Sequence, residues 1–258
     1  IISNTKMLKL RNPHERDNHI HFEEGPHEYT IKKRKKFKSV TTFVHAQFWP
    51  FNPNYIIDKM MKSYKWPQSE YYGMTKEEIK TAWKKNGSEA SAAGTKLHAD
   101  IEHYYNDDPR ENESVEYQYF LKFVEENNLT PYRTEWNVFD EELEMAGSID
   151  MIFEAPDGTL IICDWKRCKK IEKSNTYKKF SKNKSICHIP DLNFWHYSLQ
   201  LNTYKAILER NYNKKVSAMF LICLHPDNFN SSYLKYDVGD LSSVVDTLFN
   251  ERLAELNK

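Results

Sequence analysis

Apolar residues are grouped along the chain in short alternating runs and in longer helical repeats. The clearest runs, 148–154 and 159–166, are rich in β-branched and aliphatic residues and predict two strands. Residues 155–158 between them read Ala-Pro-Asp-Gly, where proline fixes φ and glycine supplies a positive φ, so we predict a β-hairpin. The other predicted strands are 27–31, 37–43, 132–139, 214–224 and 232–238, and the predicted helices are 54–64, 75–86, 88–105, 115–127, 193–210 and 241–256. Residues 1–20 have no such pattern and predict a loosely held lead-in.

Two carboxylates and one ammonium group collect at the end of this hairpin. Asp150 lies opposite residues 163–165 in any short register, and Asp164 and Lys166 share one face of their strand. Such a grouping is costly, because like charges on neighbouring strands repel and each loses hydration beside a core. On the hairpin alone, Lys166 can simply pair with a carboxylate at an exposed edge. Alternatively, the carboxylates bind Mg²⁺ and Lys166 holds or activates an attacking water.

Two predicted helices carry polar residues one turn apart. His98 and Glu102 are separated by four residues, so their side chains project together, and the same spacing relates Gln200 to Tyr204. By itself, a helical histidine is usually a core residue, and Tyr204 belongs to a buried stripe with Gln200 at its boundary. Glu135, on a predicted strand, is a further acid for which we predict a surface position.

Four pieces of the sequence together resemble the PD-(D/E)XK nuclease superfamily in its RecB-like form. They are Gly94-Thr-Lys-Leu-His98, Gly147-Ser-Ile-Asp150, Asp164-Trp-Lys166 and Gln200-Leu-Asn-Thr-Tyr204. The first acid of the hairpin follows Gly-Ser-Ile and not proline, as is common in that branch. Four pieces in this order are far more specific than an Asp-x-Lys triplet, which occurs everywhere by chance.

The resemblance implies an α/β, restriction-endonuclease-like fold, in which a mixed central β-sheet is flanked by the His98 helix and the Gln200 helix. Residues 1–72 would form an N-terminal extension with a hairpin and an aromatic helix, and residues 73–258 the nuclease core. The implied activity is Mg²⁺- or Mn²⁺-dependent hydrolysis of DNA. The similarity is to exonucleases of phages, large DNA viruses and mitochondrial genome maintenance.

The resemblance also implies roles for individual residues. Lys166 would position or deprotonate the attacking water, while Gln200 and Tyr204 would position that water, the phosphate or Lys166. Glu102 would orient His98, contact the metal through water or cap the cluster. The implied metal ligands are His98, Asp150, Asp164 and the carbonyl group of Trp165.

Two basic segments are candidates for DNA contact, since a polyanion is attracted to clustered lysines. The longer segment follows the hairpin directly, and its alternative interpretation is a disordered loop. The shorter segment, 32–36, is a solvated turn, a phosphate contact or a nuclear localisation patch. The candidate residues are Arg167, Lys169, Lys170 and Lys173 in the longer segment, and Lys32, Lys33 and Lys35 in the shorter one.

An aromatic stretch precedes the predicted helix over 75–86. We favour core packing for its large side chains, and the alternative is a platform on which single-stranded bases stack between lysines. The residues concerned are Trp49, Phe51, Tyr55, Ile56, Met60, Met61, Tyr64 and Trp66.

Composition limits the compartment and the cofactors. The 258 residues carry a formal net charge of zero, so a nucleic-acid partner is indicated only by local charge. Four cysteines without a CxxC pair indicate a reducing, intracellular setting, namely cytoplasm, nucleus or a virus. Their spacing does not fit the iron–sulfur cluster that some RecB-like nucleases carry, so we predict no cluster. We find no nucleotide-binding loop and no membrane-spanning run. Because the chain begins at Ile1, it is open to being part of a longer protein.

We therefore expect a Mg²⁺- or Mn²⁺-dependent deoxyribonuclease of DNA repair, recombination or replication that prefers single-stranded or free-ended DNA. One alternative is a structure-selective endonuclease. Another is a non-catalytic nucleic-acid-binding module of a larger replication or recombination complex. A nuclease site that has lost its activity normally lacks one of the acids or the lysine, whereas this chain contains all of these residues.

Overall fold

The computed structural model describes residues 7–23, 25–34, 36–176 and 178–258. A mixed central sheet is flanked by helices, so the predicted α/β class is confirmed. The helices are α1 (Leu8–Arg11), α2 (Val40–His45), α3 (Pro53–Met61), α4 (Lys76–Tyr105), α5 (Val115–Glu126), α6 (Asn193–Asn211) and α7 (Ser242–Leu256). The strands are β1 (Ile20–Glu23), β2 (Glu28–Ile31), β3 (Lys38–Ser39), β4 (Thr130–Asp140), β5 (Met145–Glu154), β6 (Leu160–Lys166), β7 (Val216–Cys223) and β8 (Leu234–Asp237). Short 3₁₀ helices lie at Glu15–His19, Trp66–Gln68 and Lys184–Ile186.

Strand β5 is the strand on which the central sheet is built. One of its edges pairs with the antiparallel β4, and the other edge carries two partners. Those partners are β3, parallel to residues 145–146, and β6, antiparallel to residues 151–154. Strand β7 then runs parallel to β6, and β8 runs antiparallel to β7. Within the described ranges, residues 147–150 therefore have no strand partner on that edge, and this opening lies beside Asp150.

Alternate side chains of the sheet enter two apolar layers. Ile152 points into the layer that α2, α6 and α7 cover. Phe153 points into the opposite layer. Helix α5 and the C-terminal end of α4 contribute to that layer, and Leu97 is one α4 residue that packs there. The helices that carry His98 and Tyr204 consequently flank opposite faces of the sheet, with the β5–β6 hairpin between them.

The N-terminal hairpin differs from the predicted one. Strand β2 pairs with β1, and most of the predicted strand over 37–43 is helix α2. The Ser39 hydroxyl accepts a hydrogen bond from the Thr42 N–H at 3.1 Å and caps this helix. The cap therefore outweighs the β-branched character of the segment, and the strand prediction is wrong beyond the two residues of β3.

Helix α4 replaces two predicted helices. The predicted capping box is present, because the Thr75 N–H donates to Glu78 Oε2 at 2.7 Å and the Glu78 N–H donates to Thr75 Oγ1 at 3.3 Å. The break predicted near Gly87 is wrong, since the helix continues through that residue to Tyr105.

The described chain packs as two compact units. The first combines the residues up to 49 with residues 97–258 and contains the central sheet. The second consists of residues 50–96, and Ile57 and Ile79 are fully buried there. This division differs from the one predicted at residues 72 and 73. No helix in the described ranges is both long enough and apolar enough to cross a membrane.

Core packing of the aromatic stretch is wrong for five of its eight members. More than a third of the surface of each of these side chains is exposed in the complete chain. The exposed residues are Trp49, Phe51, Tyr55, Ile56 and Tyr64.

The lead-in is held against the sheet, so the loose segment predicted for residues 1–20 is wrong for its described part. Asp17 accepts hydrogen bonds from Arg133 Nη1 at 2.8 Å and from Trp136 Nε1 at 2.9 Å. Burial alone would raise the pKa of Asp17, but the hydrogen bond and charge of Arg133 hold it below its ordinary value. The pair anchors the N-terminal segment to β4.

Replacing Asp17 with alanine is expected to lower the free energy of unfolding by about 3 kcal/mol, because the buried Arg133 loses its counter-charge. Urea denaturation measures this change, and Glu15→Ala in the same exposed 3₁₀ helix is the matched control, with a change below about 0.5 kcal/mol. Since the pKa of Asp17 is lowered, its stabilisation is present above the ordinary value of 3.8 and is lost as pH falls below it. Equal stabilities of the two variants at neutral pH would refute the anchoring role.

Candidate metal centre

The β5–β6 hairpin has the predicted turn and brings the two acids to its far end. Gly158 has a φ of +79°, which a glycine adopts without strain. Strand pairing ends at Met151 and Cys163. Asp150 and Asp164 are the next residues on the two strands, and they lie at the opening in the edge of β5.

His98 connects the two strands of the hairpin. Its Nδ1 atom lies 3.5 Å from Asp150 Oδ2, and its Nε2 atom lies 3.0 Å from the carbonyl oxygen of Trp165. The Trp165 N–H donates to the same Asp150 oxygen at 3.1 Å. Three of the four predicted ligands therefore meet, and 28% of the His98 side chain remains accessible.

Glu135 is the acid that sequence reasoning placed wrongly. It is not at the surface but lies on β4 beside Asp150, where its Oε2 accepts a hydrogen bond from the Ser148 hydroxyl at 2.7 Å. Burial and, after it, the charge of Asp150 raise the pKa of Glu135 to about 8, and Glu102 is close enough to add to this effect. The backbone of Glu135 has a φ of +42°, which is uncommon for a residue other than glycine.

Asp164 and Lys166 form a buried ion pair. Lys166 Nζ lies 2.6 Å from Asp164 Oδ2 and 4.5 Å from the centre of the Tyr197 ring. Burial and the charge of Asp150 raise the pKa of Asp164 to about 6, despite the opposing effect of Lys166. Burial alone would lower the pKa of Lys166, but the Asp164 and Asp150 carboxylates raise it. Asp150, Asp164 and Lys166 together therefore hold more negative than positive charge at neutral pH.

Tyr204 packs against the backbone of β5. A Cβ atom at Gly147 would lie 2.7 Å from Tyr204 Cε1, so only glycine permits this approach. Gln200 Nε2 lies 3.4 Å from the Tyr204 hydroxyl, as the helical spacing predicted. Burial raises the pKa of Tyr204 well above its ordinary value, and the phenol is neutral.

Two of these contacts had only weak sequence signals. Gly147 precedes the first acid in an otherwise β-favouring strand, and an isolated glycine there indicates a close approach. Tyr197 lies three residues before Gln200 on α6, but periodicity assigned it only to a buried stripe. Its contact with Lys166 depends on how α6 packs across β6, which spacing alone does not specify.

The basic segment after β6 is partly neutralised by ion pairs. Arg167 Nε lies 2.6 Å from Glu116 Oε1, so this residue is half-buried and paired. Lys170, which is exposed, forms a 2.7 Å ion pair with Glu172. Lys173 Nζ lies 4.5 Å from the centre of the Phe194 ring. Lys169 is exposed and forms no ion pair with a described residue.

The same segment is packed within the first unit, which contradicts the disordered-loop alternative for its described part. Ile171, Ile186 and Ile189 enter the apolar layer beneath α6 and α7. Cys168 approaches Cys223, whose Sγ donates to the Cys168 carbonyl oxygen at 3.1 Å.

The shorter basic segment forms a tight turn after β2. Lys32 pairs with Glu141 at 2.7 Å, and Lys33 is exposed. Both have a positive φ. Lys35 lies outside the described residues.

The donor set fits a divalent cation that accepts nitrogen and oxygen ligands. Ligand atoms of His98, Glu135 and Asp150 all lie within 4.8 Å of one another. Carboxylates suit Mg²⁺ and Mn²⁺, and imidazole suits Mn²⁺ better than Mg²⁺. Burial and, after it, the charge of Asp150 raise the pKa of Glu135, so its ionised form is disfavoured there unless a cation offsets the charge. Asp164 lies outside this group, so its ligand role remains a prediction, while Glu135 is an additional candidate ligand.

No protein-family model and no curated protein matches this chain. Among solved structures, the chain is similar to one described as "Crystal structure of SSO0001", with 15% sequence identity and a TM-score of 0.38. The alignment covers 88% of this chain and 79% of that chain. A similarity of this degree assigns neither a family nor a function.

Proposed function

We propose that this chain is a metal-dependent deoxyribonuclease of the PD-(D/E)XK type. The observation that carries the proposal is the convergence of His98, Asp150, the Trp165 carbonyl and the Asp164–Lys166 pair at one end of the hairpin. His98 and Trp165 are 67 residues apart in sequence, so no local preference brings them together. Their meeting supports the ligand set that the RecB-like resemblance implies.

His98, Asp150 and the Trp165 carbonyl would hold the cation, with Glu135 beside them. A bound Mg²⁺ or Mn²⁺ polarises a phosphoryl oxygen and lowers the pKa of a coordinated water. The carboxylates of Asp150 and Asp164 would supply the negative charge that attracts the cation. Each of these residues is placed by a sheet strand or by α4, which are rigid supports for the site.

Lys166 would act as a donor. The neighbouring carboxylates raise its pKa, so it stays protonated and can hold the attacking water or stabilise charge that develops on the phosphate. This favours the positioning role over removal of a proton from water. Gln200 and the neutral Tyr204 would act as positioning residues, since Tyr204 contacts Gly147 three residues before Asp150.

DNA with a free end is the proposed substrate. Lys169 and Lys170 are exposed a few residues after Lys166, and a polyanion is attracted to such lysines. The metal chemistry itself serves exonucleases and endonucleases equally, so the end preference requires its own test.

The decisive experiment compares labelled linear single-stranded DNA with a covalently closed circle of equal length. We expect rapid loss of the linear form with Mn²⁺, equal or slower loss with Mg²⁺, and none with EDTA. The Mn²⁺ preference follows from the imidazole ligand. We expect the circle to persist throughout.

Each other outcome changes the assignment in a different way. Equal loss of circle and linear DNA would establish an endonuclease and leave the metal site in place. Persistence of both forms in every metal would refute the nuclease and favour the non-catalytic module. Cleavage in EDTA would refute the metal requirement.

A further inference from the structure

The second unit, residues 50–96, exposes a group of aromatic rings. Phe51, Tyr55, Tyr64 and Tyr72 have exposed fractions of 69, 64, 84 and 60%. Aromatic side chains usually provide core energy, and their clustering on a surface indicates a binding site.

Helix α3 presents one part of this surface in a fixed orientation. Asn52 caps the helix, because its Oδ1 accepts a hydrogen bond from the Tyr55 N–H at 3.1 Å, and Pro53 occupies the first turn. Ile57 is fully buried on one side of the helix. Tyr55, Lys59 and Lys62 follow at a spacing of four and three residues, so they form an exposed stripe on the other side.

Ring contacts hold several of these side chains in place. Phe51 and Tyr71 both lie against Trp83, with centroid distances of 6.0 and 6.1 Å. Trp66 and Tyr72 are 5.8 Å apart.

The surface is also positively charged. Residues 50–72 contain three lysines and two carboxylates, and the whole second unit contains eight lysines and five carboxylates, in a chain whose formal charge is zero. Lys65 Nζ lies 5.6 Å from the centre of the Tyr64 ring, so an ammonium group accompanies the most exposed ring. Exposed rings thus alternate with cations along both α3 and the segment that follows it.

This combination selects one class of ligand. The cores of protein–protein interfaces are depleted in lysine, which disfavours a protein partner. A membrane-surface helix would expose its apolar face, whereas Ile57 of α3 is buried and the exposed stripe is tyrosine and lysine. Single-stranded nucleic acid offers bases that stack on rings and phosphates that pair with ammonium groups.

We propose that residues 50–72 form a binding platform for single-stranded DNA that is separate from the metal centre. Tyr55 and Tyr64 stack with bases, while Lys59, Lys62 and Lys65 contact phosphates. Binding at this platform requires neither the metal nor cleavage, so it can hold even if the proposed nuclease activity is refuted.

The test measures affinity of the full chain for fluorescent oligo(dT) in EDTA, where metal-dependent cleavage cannot occur. Tyr55→Ala/Tyr64→Ala is expected to weaken binding about 100-fold, because each stacked base contributes about tenfold. Tyr55→Phe/Tyr64→Phe keeps both rings and is expected to bind like the parent. Phe229→Ala removes an equally exposed ring, 88% accessible, from the loop after β7 and is the matched control.

Charge and strand preference provide the remaining readouts. Lys62→Gln/Lys65→Gln is expected to lower the slope of log affinity against log salt by about 0.7 for each lost phosphate contact. Duplex DNA of equal length is expected to bind more weakly than oligo(dT), because its bases are already stacked. An unchanged affinity of the double alanine variant, or an equal loss in Phe229→Ala, would overturn the platform. Self-association of the parent that the alanine variant abolishes, with oligo(dT) affinity unchanged, would do the same and assign the surface to a second copy of this chain.

Discussion

Replacing Lys166 with alanine is expected to reduce the rate of DNA cleavage by at least about a thousandfold, equivalent to about 4 kcal/mol of activation free energy. Lys166 places its ammonium group 2.6 Å from Asp164, and Tyr197 covers the other side of that group. A water molecule cannot take over the role of this protonated amino group unless the partly enclosed site around it reorganises. DNA affinity is expected to change little, because exposed lysines outside the site supply most of the phosphate contacts.

Folding and chemistry must be separated in this test, because the substitution leaves Asp164 buried without its partner. The pKa of Asp164 will rise further, and the carboxyl will be neutral in the folded variant. Lys166→Arg keeps the charge but changes its shape, and a large loss of activity in it would show that position matters as well as charge. Lys122→Ala, which removes an exposed lysine from α5, is the matched control and should cleave at nearly the parental rate. Normal cleavage by Lys166→Ala would show that the active site lies elsewhere.

The hairpin was predictable because its determinants are local. The alternation of apolar residues, the Ala-Pro-Asp-Gly turn and the two-residue spacing of Asp164 and Lys166 each act within a few positions. The capping box at Thr75 and Glu78 is local in the same sense. Helices α5, α6 and α7 follow their predicted ranges to within a residue or two, since their periodicity is uninterrupted.

The position of Glu135 was not predictable from such patterns. Strand alternation would place it on the face opposite to the buried Trp136, which predicts a surface position. Its positive φ redirects the chain locally, and this conformation costs about 1–3 kcal/mol that the surrounding sheet must offset. Nothing in the residues around Glu135 marks this conformation.

The predictions for the N-terminal elements were wrong for a related reason. Strand β3 pairs Lys38 with Met145 and Ser39 with Ala146, across more than a hundred residues of sequence. Asp17 is ordered by Arg133 and Trp136 on β4, which are just as distant. Short-range patterns describe neither pairing, so these segments were assigned to a different hairpin and to a loose lead-in.

Replacing Asp150 with asparagine is expected to abolish metal binding and to lower cleavage by at least about a thousandfold. Asp150 is the carboxylate shared by the His98 ring, the Trp165 N–H and the neighbouring Glu135. Asparagine keeps the shape and an acceptor for the Trp165 N–H, but it removes the negative charge that attracts a cation. Glu154→Gln, at the exposed end of the same strand, is the matched control.

Thermal unfolding with and without Mn²⁺ tests this prediction independently of activity. At a concentration of about 100 times the dissociation constant, Mn²⁺ should stabilise the parent by about 2.7 kcal/mol and should leave the Asp150→Asn variant unchanged. Without metal, the parent should lose stability as pH rises from 4.5 to about 8, because the raised pKa of Glu135 opposes its ionisation in the folded state. The variant should lose less over this range, since the charge of Asp150 contributes to that raised pKa. A Mn²⁺-dependent stabilisation that survives in Asp150→Asn would exclude this carboxylate as a ligand, even if cleavage were lost.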